Sequence, residues 1–215
     1  KGPTGYEHRV DVNNSTLVEE DPNNTASSDV SITSGSNISL STNYIVMSTA
    51  TNTGSIYPGI NTNLTMTTTM LRNGFSFTFL LYKTSNTIVS ADSSTSSSAL
   101  VHNYPYGYGT GETSGTVPYF GIMHLPNGVI QIHERSTNTS QHAAANSSVL
   151  SLQTWYRVTG VFESTSGGND MKLYVNGHSV VSANRPSNIA QSTNGNIFIA
   201  GGSASRRFDG YIADY

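Results

Sequence analysis

The residues of this 215-residue chain best equipped for chemistry flank the dipeptide Asn127-Gly128. His124 precedes it, and Gln131, His133 and Arg135 follow at alternating positions, which a strand presents on one face. Imidazole, amide and guanidinium groups in a row donate and accept hydrogen bonds, a pattern suited to the hydroxyls of a carbohydrate. A solvated sheet face accounts for the same residues without any ligand. Upstream, Tyr104, Tyr106 and Tyr108 stand among prolines and glycines in residues 103–119, a long stretch for a loop in a compact domain. Their rings either form a platform for the apolar faces of sugars or pack on the edge of their own sheet.

Acid–base and nucleophilic chemistry find less support. Retaining glycosidases need two carboxylates about 5 to 5.5 Å apart, met most simply by acids at i and i+2 or i+4 of one strand. Glu134 and Glu163 each stand alone, while Glu19, Glu20 and Asp21 fall in a polar N-terminal stretch. No G-x-S-x-G elbow, zinc-protease motif or phosphate-binding glycine loop occurs. The expectation is a protein that is not an enzyme. Two histidines with no third strong ligand nearby do not make a zinc site. Asp92, Asp170 and Asp209 sit in or beside expected loops, as calcium ligands or as plain turn aspartates, and no other cofactor is expected.

N-glycosylation sequons begin at Asn13, Asn14, Asn23, Asn37, Asn63, Asn138 and Asn146. A chain this rich in asparagine, serine and threonine yields about five or six by chance, so placement matters more than number. Most fall in polar stretches where a glycan would meet no core, as on a secreted or surface protein.

Positioning such residues calls for strands. Only 11% of the chain is charged, Ser, Thr, Asn and Gly dominate, and no composition shift marks a boundary. An all-β domain is expected. The net charge of −3 gives no electrostatic reason for a nucleic-acid partner, no apolar run is long enough to span a bilayer, and there is no cysteine. Residues 155–162 alternate, with Tyr156, Val158 and Phe162 on one face and Trp155, Arg157, Thr159 and Val161 on the other. Residues 171–175 and 178–181 flank Asn176-Gly177, a type I′ turn signal, and set Leu173 and Val175 beside Val180 and His178. Phe75, Phe77, Phe79 and Leu81 alternate with Ser76, Thr78, Leu80 and Tyr82 and predict an aromatic core face. Residues 93–98, serine and threonine, read as a loop tip. Counting pairs outward from Asn127-Gly128 places Leu125, Met123, Ile130 and Ile132 on one face, and His124, Gln131, His133 and Arg135 with Ile122 on the other.

The run TWYRVTGVFE, followed by MKLYVNGHSV, resembles the central pattern of the laminin-G-like, concanavalin A-like jelly rolls. NGFSFTFLLY upstream is similar to the early core strand of that family, and IFIAGGSASRRFDGYIADY to its closing segment. The resemblance implies an antiparallel jelly-roll β-sandwich over residues 29–215, with glycans as partners and a rim calcium in some members. It also makes the strand of Trp155, the chain's single tryptophan, central, so that side chain is expected to be largely buried. Gln131-Ile132-His133 matches a short element of jelly-roll alginate lyases, whose other motifs are absent.

Residues 1–28 read as an extended arm: Tyr6, His8, Val10 and Val12 alternate with polar residues, and a polar stretch follows. The family pattern at FDGYIADY normally runs on, which predicts a sandwich short of a strand or part of one. The arm would complete it in its own chain or in a neighbour, the second giving a homo-oligomer or filament. Two functions follow: a structural or adhesive subunit, extracellular or on a cell or virion surface, or a lectin-like module.

Overall fold

The computed structural model describes residues 10–13, 16–19, 31–33, 38–40, 45–47, 59–66, 73–86, 98–102, 119–125, 128–135, 141–145, 148–164, 170–185, 195–199 and 209–213. Two antiparallel seven-stranded sheets organise them. The first runs β11 (Gln141–Ala145), β10 (Ile130–Arg135), β9 (Tyr119–His124), β8 (Ser98–His102), β15 (Gly195–Ile199), β6 (Gly59–Met66), β3 (Ser31–Thr33). The second runs β14 (His178–Ala183), β13 (Met171–Val175), β12 (Trp155–Phe162), β7 (Phe75–Lys83), β16 (Gly210–Ala213), β5 (Ile45–Met47), β4 (Ile38–Leu40). The architecture is the expected jelly-roll sandwich. β8 and β11 went unforeseen: β8 begins at the serine run expected to be a loop tip, and β11 contains three alanines, a residue poor in β-propensity.

The inner faces meet through an aromatic cluster. Phe75 and Phe162 are cross-strand partners with ring centroids 4.6 Å apart, and Phe120 of the opposite sheet lies 4.6 Å from Phe75. Phe77, half-buried, stacks on Phe120 at 5.4 Å. Around these rings Phe79, Leu81, Ile122, Ile132, Val158 and Leu173 are fully buried. The sheets approach closely at Gly160, where an added Cβ would lie 2.6 Å from Ile122 Cδ1.

A buried ion pair also joins the sheets. Arg185, just past β14, donates from Nε to Glu134 Oε2 at 2.7 Å and from Nη2 to Glu134 Oε1 at 2.8 Å. Its Nη1 donates to the Glu163 carbonyl, and the guanidinium lies 5.6 Å and 5.7 Å from the Phe75 and Phe162 ring centroids. Glu134, which stands alone in its strand, is thus one half of a bidentate pair.

The second sheet keeps its Asn176-Gly177 turn, with φ of 51° and 81° as type I′ requires. A register shift between Leu173 and Tyr174 places Leu173 opposite Val181, not Val180. The other hairpin departs further. Leu125 N donates to Val129 O at 2.9 Å and Gly128 N to Leu125 O at 2.9 Å, with Gly128 at φ 82°. The paired ends are therefore Leu125 and Val129, one step from the pairing counted outward from Asn127-Gly128. His124 pairs with Ile130 and Met123 with Gln131. A one-residue slip moves side chains to the opposite face. His124, Ile122, Ile130, Ile132 and Glu134 share the core face, and Met123, Gln131 and His133 share the other.

In the second sheet β16 covers only the Leu80–Lys83 part of the β7 edge. β16 pairs on one side with β7 and on the other with β5. Near the N-terminus β1 (Val10–Asn13) pairs with β2 (Thr16–Glu19) as a two-stranded sheet. The expected single strand and polar tether thus include a hairpin, whose second strand is Thr16–Glu19; Tyr6 and His8 lie outside the described residues.

Candidate functional site

Three aromatic side chains occupy one row on the outer face of the second sheet. Trp155 of β12 pairs with Tyr82 of β7, and Tyr82 pairs with Tyr211 of β16. Alternation puts these positions opposite the core-facing Leu81 and Ile212, which are fully buried. Trp155 is 42% exposed, while Tyr82 and Tyr211 are half-buried. The tryptophan expected in the core therefore faces outward. Its strand is central, but the parity of position 155 follows Arg157, not Val158.

The rings form a compact triangle. Tyr82 lies 5.2 Å from Trp155 and 5.2 Å from Tyr211, with interplanar angles of 51° and 23°, and Trp155 lies 6.4 Å from Tyr211. Strands two apart in a sheet are separated by about 9.6 Å, so the outer two rings lean together across Tyr82. Asp209 is half-buried, and alternation puts it on the face of Tyr211; its backbone oxygen accepts from Thr84 N at 3.1 Å. Exposed Arg157 follows Trp155 on the same face, its backbone held twice by Asn176: Asn176 N donates to Arg157 O at 2.8 Å, and Arg157 N to Asn176 Oδ1 at 2.9 Å. Farther along, Thr78 and Thr159 share a hydroxyl hydrogen bond of 2.9 Å, and Lys172 pairs with Glu163 at 2.5 Å. Aromatic faces exposed on a sheet can stack on the apolar face of a sugar.

Behind this row the interior is polar. Lys83, next to Tyr82 and pointing inward, is fully buried and donates from Nζ to Gly128 O at 2.9 Å and Asn86 Oδ1 at 2.8 Å. Burial lowers its pKa to about 8. His124 is fully buried as well; burial first, and the Lys83 charge second, lower its pKa to about 3.

The residues proposed from sequence are only partly brought together. Gln131 and His133 share a face, on which Arg135 has its register position. His124, expected beside them, points into the sandwich because of the hairpin slip, and its burial withdraws it from any glycan at the surface. The face of His133 is not an open, solvated one either: Met123 and His133 are 1% and 5% exposed. Tyr104, Tyr106, Tyr108 and Asp92 lie outside the described residues, as do Asn14, Asn23, Asn37, Asn138 and Asn146. Asn13 and Asn63 sit in β1 and β6. Asp170 is buried at the entrance to β13, and among the described residues no three His, Cys, Asp or Glu side chains group closely enough to hold a metal. Tyr82 and Tyr211 were missed as site residues. The signal was available: Tyr82 shares the wet face of its strand with Ser76 and Thr78.

The fold defines the class as a lectin-like, laminin G-like jelly roll. It belongs to the concanavalin A-like lectin/glucanases superfamily, whose laminin G sequence profile matches residues 84–215. The botulinum neurotoxin serotype D binding domain superimposes with a TM-score of 0.62 at 17% identity, covering 97% of this chain and 47% of that one. Trypanosoma rangeli sialidase in complex with sialic acid gives 0.58 at 12% identity, covering 98% and 30%, and the CBM40 module of Ruminococcus gnavus IT-sialidase gives 0.50 at 13%, covering 75% and 88%. This chain spans less than half the length of the toxin domain and of the sialidase. No curated protein sequence matches it. Among the described residues no helix is long and apolar enough to cross a membrane.

Proposed function

We propose that the chain is a non-catalytic carbohydrate-binding module of a secreted or surface-exposed protein. The observation that carries this reading is the outward aromatic triangle of Trp155, Tyr82 and Tyr211. An indole placed on a sheet surface with large exposed area contributes little to packing, and its apolar face matches the C–H face of a pyranose. The neighbours named as a toxin binding domain and a carbohydrate-binding module support the reading at the level of the fold. A glycan array tests it: binding is expected for the native protein and lost in Trp155→Ala at unchanged thermal stability. Binding retained by that variant places the site elsewhere, with Gln131, His133 and Arg135 the next positions to change.

A second reading, a structural or adhesive subunit assembling through residues 1–28, is favoured by the separate β1–β2 hairpin, which among the described residues pairs with neither large sheet. Deleting residues 1–28 should then abolish oligomers seen by sedimentation, and oligomers that persist would exclude it.

A further inference from the structure

Asn-Gly dipeptides begin at Asn73, Asn127, Asn176 and Asn194, and the fold does not treat them alike. We propose that Asn176 is a modification site of the folded protein, deamidated without any enzyme when the backbone nitrogen of Gly177 attacks its side-chain amide.

The nucleophile is open. Val175 and His178 close the turn as a ladder pair, which leaves the N–H of Gly177, the second turn residue, outside the ladder. Gly177 is exposed, and an added Cβ there would meet nothing within 4 Å, so the chain can rotate beside Asn176 without striking a neighbour. Two other glycines of these pairs are enclosed. Gly74 and Gly128 are both buried, and an added Cβ would lie 2.6 Å from Phe162 O at the first and 2.8 Å from both Asn86 Oδ1 and Val149 Cγ1 at the second. Asn127 and Asn194 lie outside the described residues.

The electrophile is polarised. Asn176 is exposed, and its Oδ1 accepts from Arg157 N at 2.9 Å while its own N donates to Arg157 O at 2.8 Å. The side-chain carbonyl occupies the place of a main-chain carbonyl in the ladder, the backbone having turned away at φ 51°. An N–H aimed at a carbonyl oxygen stabilises the negative charge that gathers there as a nucleophile adds to the carbon.

Water is the one co-reactant. Gly177 N bonds to Asn176 Cγ, the Cγ–Nδ2 bond breaks, and the proton from Gly177 N leaves with Nδ2 as ammonia, closing a five-membered imide. Water then opens the imide at either carbonyl. One route gives aspartate, which keeps an oxygen acceptor for Arg157 N. The other gives isoaspartate, which adds a methylene to the main chain and so cannot keep a two-residue turn.

Peptide mapping by mass spectrometry, after incubation of the native protein in mildly alkaline buffer, tests the assignment. Asn176 should convert several-fold faster than Asn73 and Asn127, a difference that should vanish in urea, where all four pairs are equally open. Asn73 or Asn127 converting first in the native protein, or no native conversion at Asn176 while the urea-unfolded chain converts there, overturns the proposal. Asn176→Asp should melt close to the native protein and Asn176→Ala lower. An Asp variant that melts as low as the Ala variant overturns the persistence of the aspartate product in the fold.

Discussion

Strands β7 and β12 carry two aromatic clusters, one at each end of their pairing, and the two ends are inverted. At one end Phe75 faces Phe162 and both rings point inward onto Phe120. At the other, Tyr82 faces Trp155 and both point outward. An odd number of steps along each strand separates the pairs, so a period of two sends them to opposite faces. Polarity follows: beneath the phenylalanine end the exterior bears the Lys172–Glu163 pair, whereas behind Trp155 the interior holds Lys83 and His124. One end stabilises the sandwich, and the other places apolar surface where a ligand can meet it.

The largest effects should come from the phenylalanine end. Phe162→Ala is expected to cost about 3 to 5 kcal/mol, read as a lower denaturation midpoint. Arg185→Leu should cost a similar amount, about 3 to 5 kcal/mol, because Glu134 is left as a buried carboxylate without its counter-charge. Combining it with Glu134→Leu should restore most of the loss; an equally unstable double variant would show that packing, not charge, is responsible.

The polar interior at the opposite end predicts a pH dependence. Folded His124 takes up a proton near pH 3, against an ordinary 6.5, so the unfolded state binds more protons between these values and stability falls as pH drops through that window. The slope is about 1.4 kcal/mol per pH unit. His124→Leu should flatten this dependence in acid denaturation curves. For Lys83 the window is pH 8 to 10.5, across which stability should rise with pH for the same reason.

The smallest expected effect sharpens the comparison most. Trp155→Ala should change stability by less than about 1 kcal/mol, since the ring is 42% exposed. A loss of several kcal/mol in thermal or urea melts would mean the outer cluster stabilises the fold as the inner one does.

Much of the fold was legible because local chemistry determines it. β12 and β13 occupy their expected spans, Asn176-Gly177 turns as its positive φ values demand, and Phe75, Phe79 and Leu81 are buried. Two errors came from rules of greater reach. Family likeness favours burial of Trp155, whereas its alternation with Val158 places it outside. The β9–β10 register turned on whether Leu125 or Pro126 closes the loop, a difference of one residue that moved His124 from a proposed ligand contact into the core. The Arg185–Glu134 pair joins positions 51 residues apart, and no local pattern announces a partner at that distance.

The place of β16 bears on how the protein is made. Residues 210–213 fill the slot between β7 and β5, so during synthesis the second sheet stays divided until that segment has left the ribosome. Its two halves expose unpaired edges and apolar faces in the interval, a condition that favours slow folding and dependence on chaperones.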